Sequence, residues 1–142
     1  MPRQFTPFIN LYKKSALDSG TRPEDLQVGI NNHMFIGIDG EKAADDFFPY
    51  YAQMMDRVGK SRGWQQMSRD QFEYMRSPEG SLMVGNVEQV IDKILYEYEL
   101  FGFTRFFAQA SLGFVPHEMT MKSIELFATQ VIPAVKQRLG FE

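Results

Sequence analysis

The stretch Val28-Gly29-Ile30-Asn31-Asn32-His33-Met34-Phe35-Ile36-Gly37-Ile38 decides how the rest of the sequence is interpreted. Two apolar runs flank the polar triplet at 31–33, which predicts a strand that ends in, or is interrupted by, a polar loop. Gly29 and Gly37 weaken a strand ladder, but they allow close backbone approach. The pair Asp39-Gly40 that follows is a turn signal and closes the segment.

A second buried strand is predicted at residues 104–110, and a short apolar run at 82–84 indicates a third. Apolar residues at helical spacing predict helices over residues 7–19, 41–62, 68–75, 87–101 and 116–139. Asn86 and Gln89 form a capping box for the clearest of these helices. Pro49 lies inside another and predicts a kink or break there, because proline lacks the N–H that a helix needs.

The alternation of strands and helices predicts an α/β protein with parallel strand pairing. The 142 residues suffice for one domain with a core, and no internal boundary divides residues 1–142. Two or three parallel strands, however, cannot close a barrel or hide both sheet edges. An eight-stranded β/α barrel needs about 250 residues. The pattern therefore indicates part of a larger object.

Composition excludes several functional classes. The net charge of −3 disfavours a nucleic-acid partner, which requires a basic surface. The chain has no cysteine, so disulfides and thiolate metal sites are absent, and no pattern of metal ligands is visible. No apolar run approaches the roughly 18–20 residues of a membrane span, and the N-terminus lacks an apolar signal segment. The expectation is a soluble, cytoplasmic protein without a membrane partner.

Polar residues at the predicted strand ends are the candidates for a site, because sites lie at the carboxyl ends of parallel strands. His33, with Asn31 and Asn32, is expected at the end of the first strand. Gln109 and Ser111 occupy the matching end of the second strand. The alternative for each group is structural: a loop cluster or a satisfied histidine for the first, and a buried hydrogen bond for Gln109.

Several stretches, in order along nearly the whole chain, resemble one family. They are residues 2–8 with 11–12, 28–33, 49–55, 62–64, 80–85, 88–90, 116–118, 123–127 and 131–133. Together they look like the C-terminal part of the luciferase-like flavin-dependent monooxygenases, whose members are TIM-type barrels. Residues 49–55 and 62–64 are similar to the inserted helical region of that family.

The resemblance implies the last two to three βα units of a TIM (β/α)8 barrel with inserted helices, incomplete as a barrel. The strand at 30–38 would be the seventh and that at 104–110 the eighth. The implied cofactor is FMN, whose reduced form reacts with O2 to oxidise a small organic substrate. His33 is then the candidate for a catalytic role. Asn31, Asn32, Gln109 and Ser111 are the candidates for binding the cofactor.

Two further interpretations follow from the missing strands. The chain can be a non-catalytic module, either a truncated barrel or one piece of a split barrel, that self-associates or pairs with a complementing N-terminal chain. It can also be an independent α/β dimer fold that only shares ancestry with the barrel. Exposed parallel edges predict a homo-oligomer or a complementing chain in either case.

Overall fold

Three parallel strands form one small sheet in the computed structural model, which describes residues 1–141. They are β1 (Gly29–Ile36), β2 (Met83–Gly85) and β3 (Arg105–Gln109), in the order β2-β1-β3. Residues 34–36 of β1 pair with β2, and residues 29–33 pair with β3. The predicted α/β class with parallel pairing is confirmed, including the short strand near residue 83.

Within residues 1–141, six α-helices lie around the sheet, close to the ranges predicted from periodicity. They are α1 (Thr6–Asp18), α2 (Gly40–Lys60), α3 (Arg69–Arg76), α4 (Val87–Phe101), α5 (His117–Leu126) and α6 (Ile132–Leu139). Two 3-10 helices (Pro2–Phe5 and Pro23–Asp25) precede β1, and a π-helical turn (Phe127–Val131) joins α5 to α6. The single helix predicted over residues 116–139 is therefore divided by this π turn, which ends two residues before Pro133.

The polar loop expected within the first strand does not form. β1 runs without interruption through the polar triplet 31–33 and ends at Ile36. The reason is that each half of β1 has its own partner, β3 for the amino half and β2 for the carboxyl half. Ladder pairing with β3 on one flank holds the triplet in extended backbone, whatever the polarity of its side chains.

The break expected at Pro49 is also wrong, because α2 continues through it from Gly40 to Lys60. Proline removes the hydrogen bond to the carbonyl of Asp45, and both residues are exposed, so water can reach that carbonyl. On the opposite side of the helix, Phe47 and Tyr51 are fully buried and hold α2 against the sheet. Packing of this buried stripe therefore outweighs the local cost of the proline.

Helices cover both faces of the sheet. Met34 and Ile36 pack in one core cluster that includes residues of α4, the π turn and α6, whereas Phe35 packs in a second cluster with α2 and α3. The connections β1 to β2 and β2 to β3 run in opposite directions across the sheet. Right-handed crossovers in opposite directions place their helices on opposite faces. α2 covers the face from which Phe35 projects, and it contains residues 49–55, which resemble the inserted helical region of the family.

α4 begins and ends as its sequence predicts. The Asn86 side chain accepts a hydrogen bond from the Gln89 N–H at 3.0 Å, and the Gln89 side chain accepts from the Asn86 N–H at 2.9 Å. This reciprocal pair confirms the capping box. Gly102 ends the helix with a left-handed φ of 55°, a conformation that glycine adopts at little cost.

Ser123 of α5 accepts a backbone hydrogen bond from β1 beyond the point where β3 ends. β3 ends at Gln109, opposite His33, and leaves the carboxyl half of β1 without a strand on that flank. The buried hydroxyl of Ser123 accepts a hydrogen bond from the Ile36 N–H at 2.8 Å. This contact satisfies a buried backbone donor that would otherwise be costly to leave unpaired.

We expect Ser123→Ala to lower the free energy of unfolding by about 1–2 kcal/mol, because it leaves the buried Ile36 N–H without an acceptor. Denaturant unfolding followed by circular dichroism measures the change. Ser61→Ala is the matched control, since the Ser61 hydroxyl donates to the Val58 carbonyl at an exposed position. Equal losses in the two variants would contradict the role given to Ser123.

α1 lies at the surface and is held by few contacts. None of its residues, Thr6–Asp18, is buried, and Phe8 keeps 68% of its surface exposed. Its Lys13 Nζ donates a hydrogen bond to the Phe101 carbonyl at 2.6 Å, at the last turn of α4. Among residues 1–141, no helix combines the length and apolar character needed to cross a membrane.

Candidate functional site

One face of the sheet is left largely open over its amino half, because α2 and α3 pack over the carboxyl half and α2 reaches the amino half through the contact of Tyr51 with His33. Register pairs Asn31 with Phe107 and His33 with Gln109. Residues paired across neighbouring strands project from the same face, so these four side chains form one patch. We refer to Asn31, His33, Phe107 and Gln109 as the open-face patch. Three of its members are candidates that the sequence proposed.

Phe107 lies over the backbone of β1 at Gly29. A Cβ atom at Gly29 would come within 3.2 Å of Phe107 Cε2, which is tighter than an ordinary contact. The glycine therefore permits the ring to approach the neighbouring strand, where the sequence had predicted close approach by backbone. Half of the Phe107 surface stays exposed, so the ring offers a flat apolar surface on the open face.

His33 is the only histidine of the patch, and it contacts a tyrosine from α2. His33 Nδ1 and the Tyr51 hydroxyl lie 3.4 Å apart, and the two rings meet edge to face with centroids separated by 5.6 Å. Burial lowers the pKa of His33 and raises that of Tyr51 to about 12. Both groups are therefore neutral at neutral pH, and the imidazole can accept or donate one hydrogen bond.

Asn32 projects from the opposite face and is not part of the patch. Its Nδ2 donates hydrogen bonds to the Ser81 carbonyl at 2.8 Å and to Glu97 Oε1 at 2.9 Å. Both Asn32 and Glu97 are buried. The period of two along a strand thus separates Asn32 from its neighbours Asn31 and His33.

Ser111 is exposed and lies two residues after Gln109, beyond the end of β3. The structure brings together Asn31, His33 and Gln109 and turns Asn32 to the opposite face. Whether any of the five binds a cofactor stays a prediction.

Sequence reasoning missed two buried ionisable residues of α4, Lys93 and Glu97. Lys93 Nζ donates hydrogen bonds to the carbonyls of Arg76 at 3.0 Å and Ser77 at 2.7 Å. The signal was present, since Glu97 follows Val90 and Ile94 at helical spacing along the buried stripe of α4. Charged residues at such positions are buried, and a buried charge needs partners.

Burial moves the pKa values of these two groups toward each other. Desolvation lowers the pKa of Lys93 to about 7 and raises that of Glu97 to about 7. The opposite charge of each partner acts against these shifts, as does the hydrogen bond from Asn32 to Glu97. Desolvation dominates in both cases, because burial removes most of the hydration shell that stabilises each charge.

The stability of the fold should therefore depend on pH in a specific way. Between pH 4.5 and about 7, Glu97 holds its proton in the folded chain but not in the unfolded one, so stability falls as pH rises. Between about 7 and 10.5, Lys93 is protonated only when unfolded, so its contribution makes stability rise with pH. We expect Glu97→Gln to remove the falling part of the profile.

Chemical denaturation at a series of pH values measures this effect. Glu99→Gln is the matched control, because Glu99 lies on the same helix but is exposed. If the stability of Glu97→Gln declines between pH 4.5 and 7 as that of the wild type does, the assignment to Glu97 is wrong.

A groove at the carboxyl end of β1 is a second place where a ligand could bind. Its volume is about 520 Å³, and it lies between the start of α2 and α5, lined in part by Gly37, Lys42 and Lys122. Ligands of open α/β sheets bind outside the carboxyl ends of strands, where the strand order reverses. None of the five residues proposed from the sequence lines this groove.

The fold is similar to part of several solved enzymes. Monooxygenase RslO1 from Streptomyces bottropensis matches with a TM-score of 0.75 and 21% identity, over 94% of this chain and 39% of that one. Coenzyme F420-dependent tetrahydromethanopterin reductase from Methanopyrus kandleri matches with a TM-score of 0.60 and 19% identity, over 95% and 43% of the chains. Long-chain alkane monooxygenase LadA matches with a TM-score of 0.58 and 14% identity, over 96% and 34%.

These similarities confirm the resemblance seen in the sequence at the level of the fold. The chain spans between 34% and 43% of the length of these three proteins, while nearly all of it is matched. No protein-family model and no curated protein matches the sequence. The chain therefore has the fold of one part of this group of oxidoreductases.

Proposed function

We propose that the chain is the C-terminal segment of a luciferase-like flavin-dependent monooxygenase that oxidises a small organic substrate with reduced FMN and O2. The observation that carries the proposal is the match of 94% of the chain to monooxygenase RslO1. The open-face patch is the part of this segment that faces the cofactor or substrate. It would form one wall of a pocket, and further βα units would supply the others.

The residues present fit one side of a flavin. The half-exposed Phe107 ring offers a flat surface for an aromatic ring system, and the Asn31 and Gln109 amides offer donors and acceptors beside it. Arg105 is exposed at the start of the same strand, at a register position that projects from the same face. A bound reduced flavin supplies the activation of O2, and the protein supplies the pocket.

The side chains of the patch bind and orient a ligand, and they do not themselves activate O2. The Asn31 and Gln109 amides can hold the polar edge of a planar ligand through paired donor and acceptor groups. His33 is neutral and held against Tyr51, so it can exchange one proton or hydrogen bond with a ligand above the sheet. Phe107 excludes water from the strand beneath it.

We expect the chain to bind reduced or oxidised FMN at the open face, and Asn31→Ala and Gln109→Ala each to weaken binding about 3–10-fold through loss of a hydrogen bond. Titration of FMN fluorescence measures the affinity. Gln27→Ala is the control, because Gln27 is exposed and precedes β1. No FMN binding, or equal binding by all variants, would contradict the assignment of the patch.

A second candidate function is that of a non-catalytic module that associates through its open face. Three strands leave two sheet edges, and Phe107 adds exposed apolar surface to the open face. α1 adds more, since Phe8 and Leu11 are exposed. A second copy or a complementing N-terminal chain would cover these surfaces.

This second function predicts an oligomer of the wild-type chain at micromolar concentration. Phe107→Asp should shift it toward the monomer, because a carboxylate in a dry interface is costly. Light scattering measures the mass of both proteins. Tyr74→Asp is the control, since Tyr74 is an exposed aromatic residue of α3, away from the open face. A wild-type chain that is a folded monomer would contradict self-association.

A further inference from the structure

The contact between His33 and Tyr51 determines which kind of ligand atom the open-face patch can take. His33 Nδ1 and the Tyr51 hydroxyl lie 3.4 Å apart, which is the separation of a long hydrogen bond. A neutral histidine has one N–H and one acceptor nitrogen, so the direction of this hydrogen bond depends on which nitrogen holds the proton. The surroundings of Tyr51 fix that choice.

The Tyr51 hydroxyl has a single polar neighbour. Only 1% of the Tyr51 surface is exposed, and its ring packs against those of Phe47 and Phe72, with centroids 5.5 Å and 5.8 Å away. Among residues 1–141, the hydroxyl has no hydrogen-bond partner other than His33. Burial raises the pKa of Tyr51 to about 12, so the phenol keeps its proton at neutral pH. A buried O–H needs an acceptor, and His33 Nδ1 is the acceptor within reach.

The reverse direction would leave a buried donor unpaired. If His33 Nδ1 held the proton, it would donate to the Tyr51 oxygen, and the phenol proton would then lie among apolar side chains without an acceptor. An unsatisfied buried donor costs more free energy than one hydrogen bond returns. Burial also lowers the pKa of His33, so the imidazole is neutral at neutral pH, and its one proton lies on Nε2.

Nε2 of His33 is the ring nitrogen that a ligand can reach. It has no hydrogen-bond partner among residues 1–141, and it is not buried, unlike Thr6 Oγ1, Asn32 Oδ1 and Tyr96 Oη, which are buried without a partner. His33 is half-buried and projects from the open face. An oxygen above that face can therefore accept a hydrogen bond from Nε2.

The rest of this face also suits an acceptor. Arg105 has donors only, whereas the Asn31 and Gln109 amides can present either a donor or an acceptor. None of the residues that share the face, at positions 29, 31, 33, 105, 107 and 109, is acidic. The groups of fixed polarity, His33 Nε2–H and the Arg105 guanidinium, are therefore both donors.

We propose that Tyr51 is a positioning residue that holds His33 with its proton on Nε2, and that the open-face patch therefore binds a planar ring compound through a carbonyl oxygen. The oxygen accepts from Nε2–H, and the ring packs against Phe107. The identity of the ligand rests on the proposed function, whereas the tautomer does not. Such a carbonyl belongs either to the flavin or to a substrate.

Nuclear magnetic resonance of the chain with isotopically labelled histidine nitrogens tests the tautomer. The other histidine, His117, is exposed, so His117→Gln leaves the signals of His33 alone. Above the pKa of the ring, we expect a protonated Nε2 and an unprotonated Nδ1 whose shift shows an accepted hydrogen bond. Tyr51→Phe in the same background should remove that hydrogen-bond shift and admit the Nδ1–H tautomer. Tyr74→Phe is the matched control, because Tyr74 is exposed, and should change neither nitrogen.

The tautomer assignment is overturned if Nδ1 carries the proton in His117→Gln, or if a folded Tyr51→Phe leaves both nitrogen shifts unchanged. The first of these results needs no change at Tyr51, so it decides the matter even if Tyr51→Phe does not fold.

Titration with acetophenone tests the ligand class, with α-methylstyrene as the analogue in which a CH2 group replaces the carbonyl oxygen. Acetophenone should shift the Nε2–H resonance and bind about fivefold more tightly than α-methylstyrene, through one hydrogen bond. A shift with FMN but not with acetophenone assigns the carbonyl to the flavin, and the reverse assigns it to a substrate. The ligand class is overturned if neither compound shifts Nε2–H, or if α-methylstyrene shifts it as acetophenone does.

The two proposals can fail separately. If FMN does not bind while acetophenone shifts Nε2–H, the assignment of the flavin is wrong and the role of Tyr51 stands. If FMN binds at the open face while Nδ1 carries the proton, the role of Tyr51 is wrong and the flavin stands.

Discussion

The continuous pairing of β1, with β3 along its amino half and with β2 along its carboxyl half, is the constraint on which the rest of the structure depends. β2 holds its carboxyl half and β3 its amino half, so neither neighbouring strand alone accounts for its length. The opposite directions of the two crossovers then place α2 and α4 on opposite faces. The open-face patch exists because the register with β3 places Asn31 and His33 beside Phe107 and Gln109.

Much of the local structure could be predicted from the sequence, because it is encoded by short-range patterns. The α4 helix with its Asn86–Gln89 capping box, the α/β class and the parallel pairing all follow from periodicity and capping chemistry. Among the candidate site residues, Asn31, His33 and Gln109 do lie together, because residues in register on neighbouring parallel strands share a face.

The failures have one physical origin, which is that contacts distant in sequence override local preference. The polar triplet 31–33 favours a loop locally, but ladder pairing with β3 keeps it extended, and the same period of two turns Asn32 away from its neighbours. Pro49 opposes a helix locally, but burial of Phe47 and Tyr51 keeps α2 continuous through it. The local sequence does not identify β3 as the partner of the triplet or the sheet face as the partner of α2, since both depend on strand order.

The weak attachment of α1 has a consequence for local unfolding. The hydrogen bond from Lys13 to the last turn of α4 is only partly buried, and α1 buries none of its own residues. Segments with so little buried surface open at a small fraction of the free energy of global unfolding. We therefore expect the N-terminal helix to open locally while the sheet stays intact.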